Sequence, residues 1–131
     1  MRLPPSVSAV VAAGLALAGC DSAGDEAASF GDPYTVLVTA DSPRVTDDDR
    51  PRLAVAVEYS GGCEEHAFVL RSRVAGDAAE VWWVHDARGD TCEAIQTATV
   101  RAALPGTVLE ADEVFLLAPD GGALALTVPD L

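Results

Sequence analysis

An all-β domain, an immunoglobulin-like sandwich of about seven strands, is the fold this sequence predicts, and three observations predict it. Short β-branched and aromatic runs recur between clusters of Gly, Pro, Asp and Ser, at the intervals typical of sandwiches. The clearest run alternates strictly: Leu53, Val55, Val57 and Tyr59 fall on one face of an extended chain, and Ala54, Ala56 and Glu58 on the other. No long segment carries apolar residues at a helical period between capping residues. A small open β-barrel is the alternative closure of the same strands.

The elements run from Tyr34 onward, with strands expected over 34–40, 52–59, 66–74, 80–86, 95–104, 113–118 and 123–128. Within 80–86, Trp82 and Trp83 are adjacent, so their rings must point to opposite faces. One indole belongs to the core; the other packs under a loop or is left exposed, where it would stack on a sugar or anchor a partner. The stretch 95–104 has alanines that tolerate a helix, but Thr97, Thr99 and Val100 favour a strand. The last two strands flank Pro119-Asp120-Gly121-Gly122, where proline stops one strand and the glycines permit positive φ, so a hairpin is expected.

Ahead of Tyr34 the pattern changes. Arg2 precedes an apolar run over 7–18, and small residues lead into Cys20. A membrane-spanning helix needs about 20 apolar residues, and this run, preceded by Pro4 and Pro5, is too short. The ending Leu17-Ala18-Gly19-Cys20 resembles the lipobox of bacterial lipoprotein precursors. The resemblance implies cleavage before Cys20, a diacylglyceryl thioether on its sulfur and, in many bacteria, a further acyl group such as palmitate on the new amine. Each buried methylene contributes roughly 0.8 kcal/mol, so two or three chains on one cysteine anchor a protein durably. The partner implied is the lipid bilayer, and the address implied is the cell envelope, on the periplasmic or extracytoplasmic side. The organisation expected is a removed signal peptide over 1–19, a lipidated, flexible acidic tether over 20–33, and one β domain over 34–131.

The precursor carries a formal charge of −13 over 131 residues, and its eight basic residues are all arginine. Loss of Arg2 with the leader takes the mature chain to −14. Such a surface repels phosphate backbones and argues against nucleic-acid binding. It favours solubility at some cost in self-repulsion. Because half the residues are hydrophobic, the acidity does not signal disorder.

Two cysteines remain besides Cys20. Cys63 follows the Gly61-Gly62 turn and Cys92 follows the Gly89 turn, and an even pair in an exported domain points to a disulfide. A histidine accompanies each: Cys63-Glu64-Glu65-His66 on one side, and His85 with Asp86, Asp90 and Cys92 on the other. Cys63, His66, His85 and Cys92 would therefore make an alternative copper or zinc site, although the spacing between His85 and Cys92 lacks the tight pairing of zinc fingers. A third arrangement has the disulfide drawing both histidines into a small site without thiolate ligands. Each histidine also fits a buried place, His66 on the face of Phe68 and Leu70, and His85 on the face of Val81 and Trp83.

Other features are weaker. Asp47-Asp48-Asp49 does not follow the ligand spacing of an EF-hand, and reads as a solvated acidic loop. Arg88-Gly89-Asp90 matches an adhesion tripeptide that recurs by chance. There is no Gly-x-Ser-x-Gly elbow, phosphate-binding loop or His-Glu-x-x-His helix. Ser60, either histidine and Asp86 make a triad only on paper. The expectation is a lipid-anchored envelope lipoprotein whose acidic domain is a non-catalytic binding or structural module, acting on an envelope protein or small ligand. It has no cofactor beyond the lipid on Cys20. The alternative is a periplasmic copper- or zinc-binding protein.

Overall fold

The computed structural model describes residues 27–129. The leader, Cys20 and the first part of the expected tether lie outside the described residues. The domain is an open sandwich of two four-stranded sheets. The strands are β1 (Thr35–Leu37), β2 (Arg44–Val45), β3 (Arg52–Gly61), β4 (Ala67–Ala75), β5 (Ala78–Asp86), β6 (Ala94–Ala103), β7 (Glu113–Leu117) and β8 (Ala123–Leu126). One short helix, α1 (Gly106–Leu109), joins β6 to β7.

In the first sheet β3 is central. It pairs antiparallel with β6 along its whole length, from Arg52↔Ala103 to Gly61↔Ala94. Its other edge takes β1 at residues 56–58 and β2 at residues 53–54, so one edge is made of two short pieces. Ser42, between those pieces, joins them to β3 through its hydroxyl, which donates to Leu37 O and accepts from Ala56 N, both at 2.8 Å. The second sheet runs β4-β5-β7-β8. The β4–β5 and β7–β8 pairs are antiparallel hairpins, whereas β5 and β7 run parallel. A parallel pair cannot be closed by a tight turn, and here the connection passes through β6 of the opposite sheet and α1.

The core lies between the sheets and is built from alternate residues, as the pleat dictates. Leu53, Val55 and Val57 of β3 face Ala79, Val81 and Trp83 of β5 and Val114 and Leu116 of β7, all 4% exposed or less. Each large apolar side chain so buried contributes roughly 1.5–3 kcal/mol. The adjacent tryptophans divide as the strand geometry requires: Trp83 is core, and Trp82 packs beneath the residues entering the domain, its Nε1–H donating to Ser29 O at 3.1 Å.

That contact moves the start of the domain. Residues 29–33, expected as the end of a flexible tether, are bound to β5. His85 N donates to Phe30 O, and Asp32 N donates to His85 O. Ala87 N donates to the Asp32 carboxylate at 2.7 Å. Phe30 packs against the core. A single aromatic among small and acidic residues carries no strand period, so this docking leaves no mark in the pattern. The strand count is eight, one more than expected, because β2 is only two residues long.

Candidate functional site

Three inward stripes converge on one end of the sandwich, and each finishes on a polar ring. On β3 the series Leu53, Val55, Val57 ends at Tyr59. On β5 the series Ala79, Val81, Trp83 ends at His85, which is 2% exposed. His66 precedes β4 by one residue and shares the face of Phe68 and Leu70. Phe68 and His85 are register partners, and their rings stack 4.3 Å apart and within 3° of parallel. Tyr59 lies 4.6 Å from the His66 ring and 5.1 Å from the His85 ring. Tyr34 meets His85 edge-on at 5.9 Å. Its hydroxyl donates to Trp83 O at 2.7 Å. Burial pushes the Tyr34 phenol up to about 12, against the smaller opposing effect of that hydrogen bond.

Inside this aromatic wall the two histidines and Asp90 form a chain. His66 Nε2 lies 2.8 Å from Asp90 Oδ2, and the two side chains are 2% and 0% exposed. His66 Nδ1 lies 2.7 Å from His85 Nε2. His85 Nδ1 faces the carbonyl oxygens of Asp32 and Pro33, each at 3.1 Å. The close approach of His66 needs glycine at position 61: a Cβ there would stand 2.6 Å from His66 Nε2 and 2.9 Å from Asp90 Oδ2.

Asp90 is the hub. Its Oδ2 also accepts from the backbone N–H of Gly62, Cys63 and Glu64, and its Oδ1 from Cys92 N. The His66 hydrogen bond does most to hold the carboxyl well below the usual carboxylate range; burial opposes it, and the N–H groups of Cys92, Glu64 and Cys63 assist. The two loops gathered by Asp90 are also joined covalently by the Cys63–Cys92 disulfide, with Cα atoms 5.9 Å apart.

The sequence allows these residues three arrangements, and the geometry sorts them. The bridge between Cys63 and Cys92 is formed. The Cys63, His66, His85 and Cys92 metal set is not assembled, because the two sulfurs are bonded to each other and the inner ring nitrogens are directed at each other. Among the described residues the one group of potential ligands close enough to share an ion is Cys63, Asp90 and Cys92, two of which are this disulfide. The third arrangement, a disulfide that draws both histidines into a compact cluster, is the one present. His85 is the buried, carbonyl-bonded histidine its strand face implied.

The paper triad does not come together. The Asp86 carboxylate accepts from Arg88 N instead of a histidine, and Ser60 is exposed with no hydrogen bond to either ring. In Arg88-Gly89-Asp90 the acid is turned inward as the hub, so the tripeptide is not displayed. The Asp47-Asp48-Asp49 loop is exposed, with Thr46 Oγ1 donating to Asp48. In the sequence Asp90 stands out only as a neighbour of His85 and as the acid of the Arg88-Gly89-Asp90 tripeptide. The signal that identifies it is its position two residues before Cys92, the spacing at which an aspartate oxygen accepts its own backbone N–H two residues on.

Beside the cluster is an open groove of about 390 Å³ lined by Asp32, Tyr34, Glu58, Tyr59, His85 and Ile95, among others. Comparison with protein-family models, curated proteins and solved structures finds no match.

Proposed function

We propose that the protein is a lipid-anchored envelope lipoprotein whose acidic β-sandwich is a non-catalytic binding or structural module. The address rests on Leu17-Ala18-Gly19-Cys20 and the short apolar run before it. The reading of the domain rests on one observation: all four ring nitrogens of His66 and His85 are directed at partners within the protein. A general base or a metal ligand needs a nitrogen aimed at a reacting atom or an open position. Here the polar groups join loops together, and the groove with Asp32, Glu58 and Ile95 on its walls is the surface left for a small ligand or an envelope partner.

The test is labelling with palmitate in cells exporting the wild type or Cys20→Ala, followed by intact mass of the exported protein before and after reduction. Label in the wild type alone, a gain of about 2 Da on reduction and no metal adduct are expected. Equal label in both proteins would remove the anchor, and a stoichiometric metal in the purified protein would replace the module reading with a metal-binding one.

A further inference from the structure

We infer that His66 and His85 together form a binding site for one proton, held between His66 Nδ1 and His85 Nε2 and neutralised by Asp90. The hydrogens can be counted from the partners. A carbonyl oxygen only accepts, so His85 Nδ1, which faces two carbonyls, carries a hydrogen. The Asp90 carboxyl accepts four backbone N–H groups, at Gly62, Cys63, Glu64 and Cys92, which leaves it ionised and accepting from His66 Nε2 as well. Both outer nitrogens are therefore donors.

A neutral imidazole has one ring hydrogen, and in each ring the outer nitrogen already holds it. With both rings neutral, two bare lone pairs would face each other at 2.7 Å in a buried place. With both rings cationic, two N–H groups would collide there. A single added proton satisfies both inner nitrogens in one N–H···N bond. The pair then carries one positive charge against the single negative charge of Asp90, in contact at 2.8 Å.

The surroundings are consistent with that charge. Tyr59 and Tyr34 contribute neutral rings from β3 and from the residue before β1, and Phe68 contributes an apolar ring from β4. The charged side chains on the adjoining groove are Asp32, Glu58 and Asp90, all acidic. Glu64 and Glu65, in the loop before β4, are exposed.

The elements that the shared proton joins are the start of β4, the end of β5 and the loops bearing Cys63 and Cys92.

The experiment uses the full-length exported protein in detergent micelles with nitrogen-15 histidine; the described domain contributes two histidines and four ring nitrogens. At pH 7, NMR should show His66 Nε2 and His85 Nδ1 fully protonated, and His66 Nδ1 and His85 Nε2 sharing one proton with coupling across the hydrogen bond. Two bare inner nitrogens, four protonated nitrogens, or inner nitrogens coordinated to added Cu(I) or Zn(II) would each overturn the inference. Asp90→Asn should lose the shared-proton signal between His66 Nδ1 and His85 Nε2; if that variant does not fold, the wild-type spectrum still decides.

Discussion

The middle of the sandwich and its histidine end are built from the same strands by different physics. Between the sheets, Leu53, Val55, Val81 and Leu116 touch one another through contacts that have no direction, and any apolar neighbour of about the right size satisfies them. At the end, His66, His85 and Asp90 are held by bonds that specify which atom donates. Moving one hydrogen alters every bond in the chain. A β stripe can thus change from a graded store of stability to an all-or-none unit within two residues, here between Trp83 and His85.

Removing the covalent part of the polar end should have the largest effect. Cys63→Ser with Cys92→Ser releases a closure spanning 29 positions, and loop-closure entropy puts the cost at roughly 3–4 kcal/mol, measured by urea unfolding. If the Asp90 hub depends on the disulfide, the altered protein also loses the histidine N–H···N signal; retention of that signal would show that the hub stands without the staple.

A smaller effect is expected from acid. The Asp90 carboxyl is held low in the folded protein, so its contribution is fully present above the unfolded value near 4 and is lost as pH falls below it. Wild type should therefore lose stability between about pH 4 and 2 more steeply than Asp90→Asn, read from denaturation midpoints across that range. Parallel curves would mean that the charge on Asp90 does not stabilise the loops.

The smallest effect is expected in the apolar middle. Trp83 Nε1 is buried without a hydrogen-bond partner among the described residues. Trp83→Phe loses apolar contact but also removes that unsatisfied donor, whose burial costs about 1–3 kcal/mol. The two nearly offset, so unfolding free energy should change by under about 1.5 kcal/mol. A loss as large as that of the disulfide would mean that the middle is as exacting as the end.

The fold was legible because its main strands write their period in the sequence. Leu53 to Tyr59 alternates in the sequence and its stripe faces inward, whereas Val81 to His85 is apolar on both faces up to His85 and alternates only in burial. The two-residue β2 and the four-residue α1 carry no period of their own and are positioned by neighbours, Ser42 in the first case. At the site, the cysteines and histidines stood out as rare residue types. Asp90 did not, because aspartate is common in this acidic chain and its role depends on three backbone N–H groups from a loop 26 to 28 residues away. Phe30 was missed for a related reason: its pairing with β5 is a main-chain event, and main-chain bonds leave little trace in side-chain pattern.

That pairing has a mechanical consequence. Gly31 lies so close to the His85 carbonyl that a Cβ there would collide with it, and the chain enters the fold at this point. A pull on the chain ahead of Ser29 would load the Trp82 indole first, then the His85 main chain, and only afterwards β1. Tension from the amino-terminal side is thus delivered first to the strand that carries Trp82 and His85.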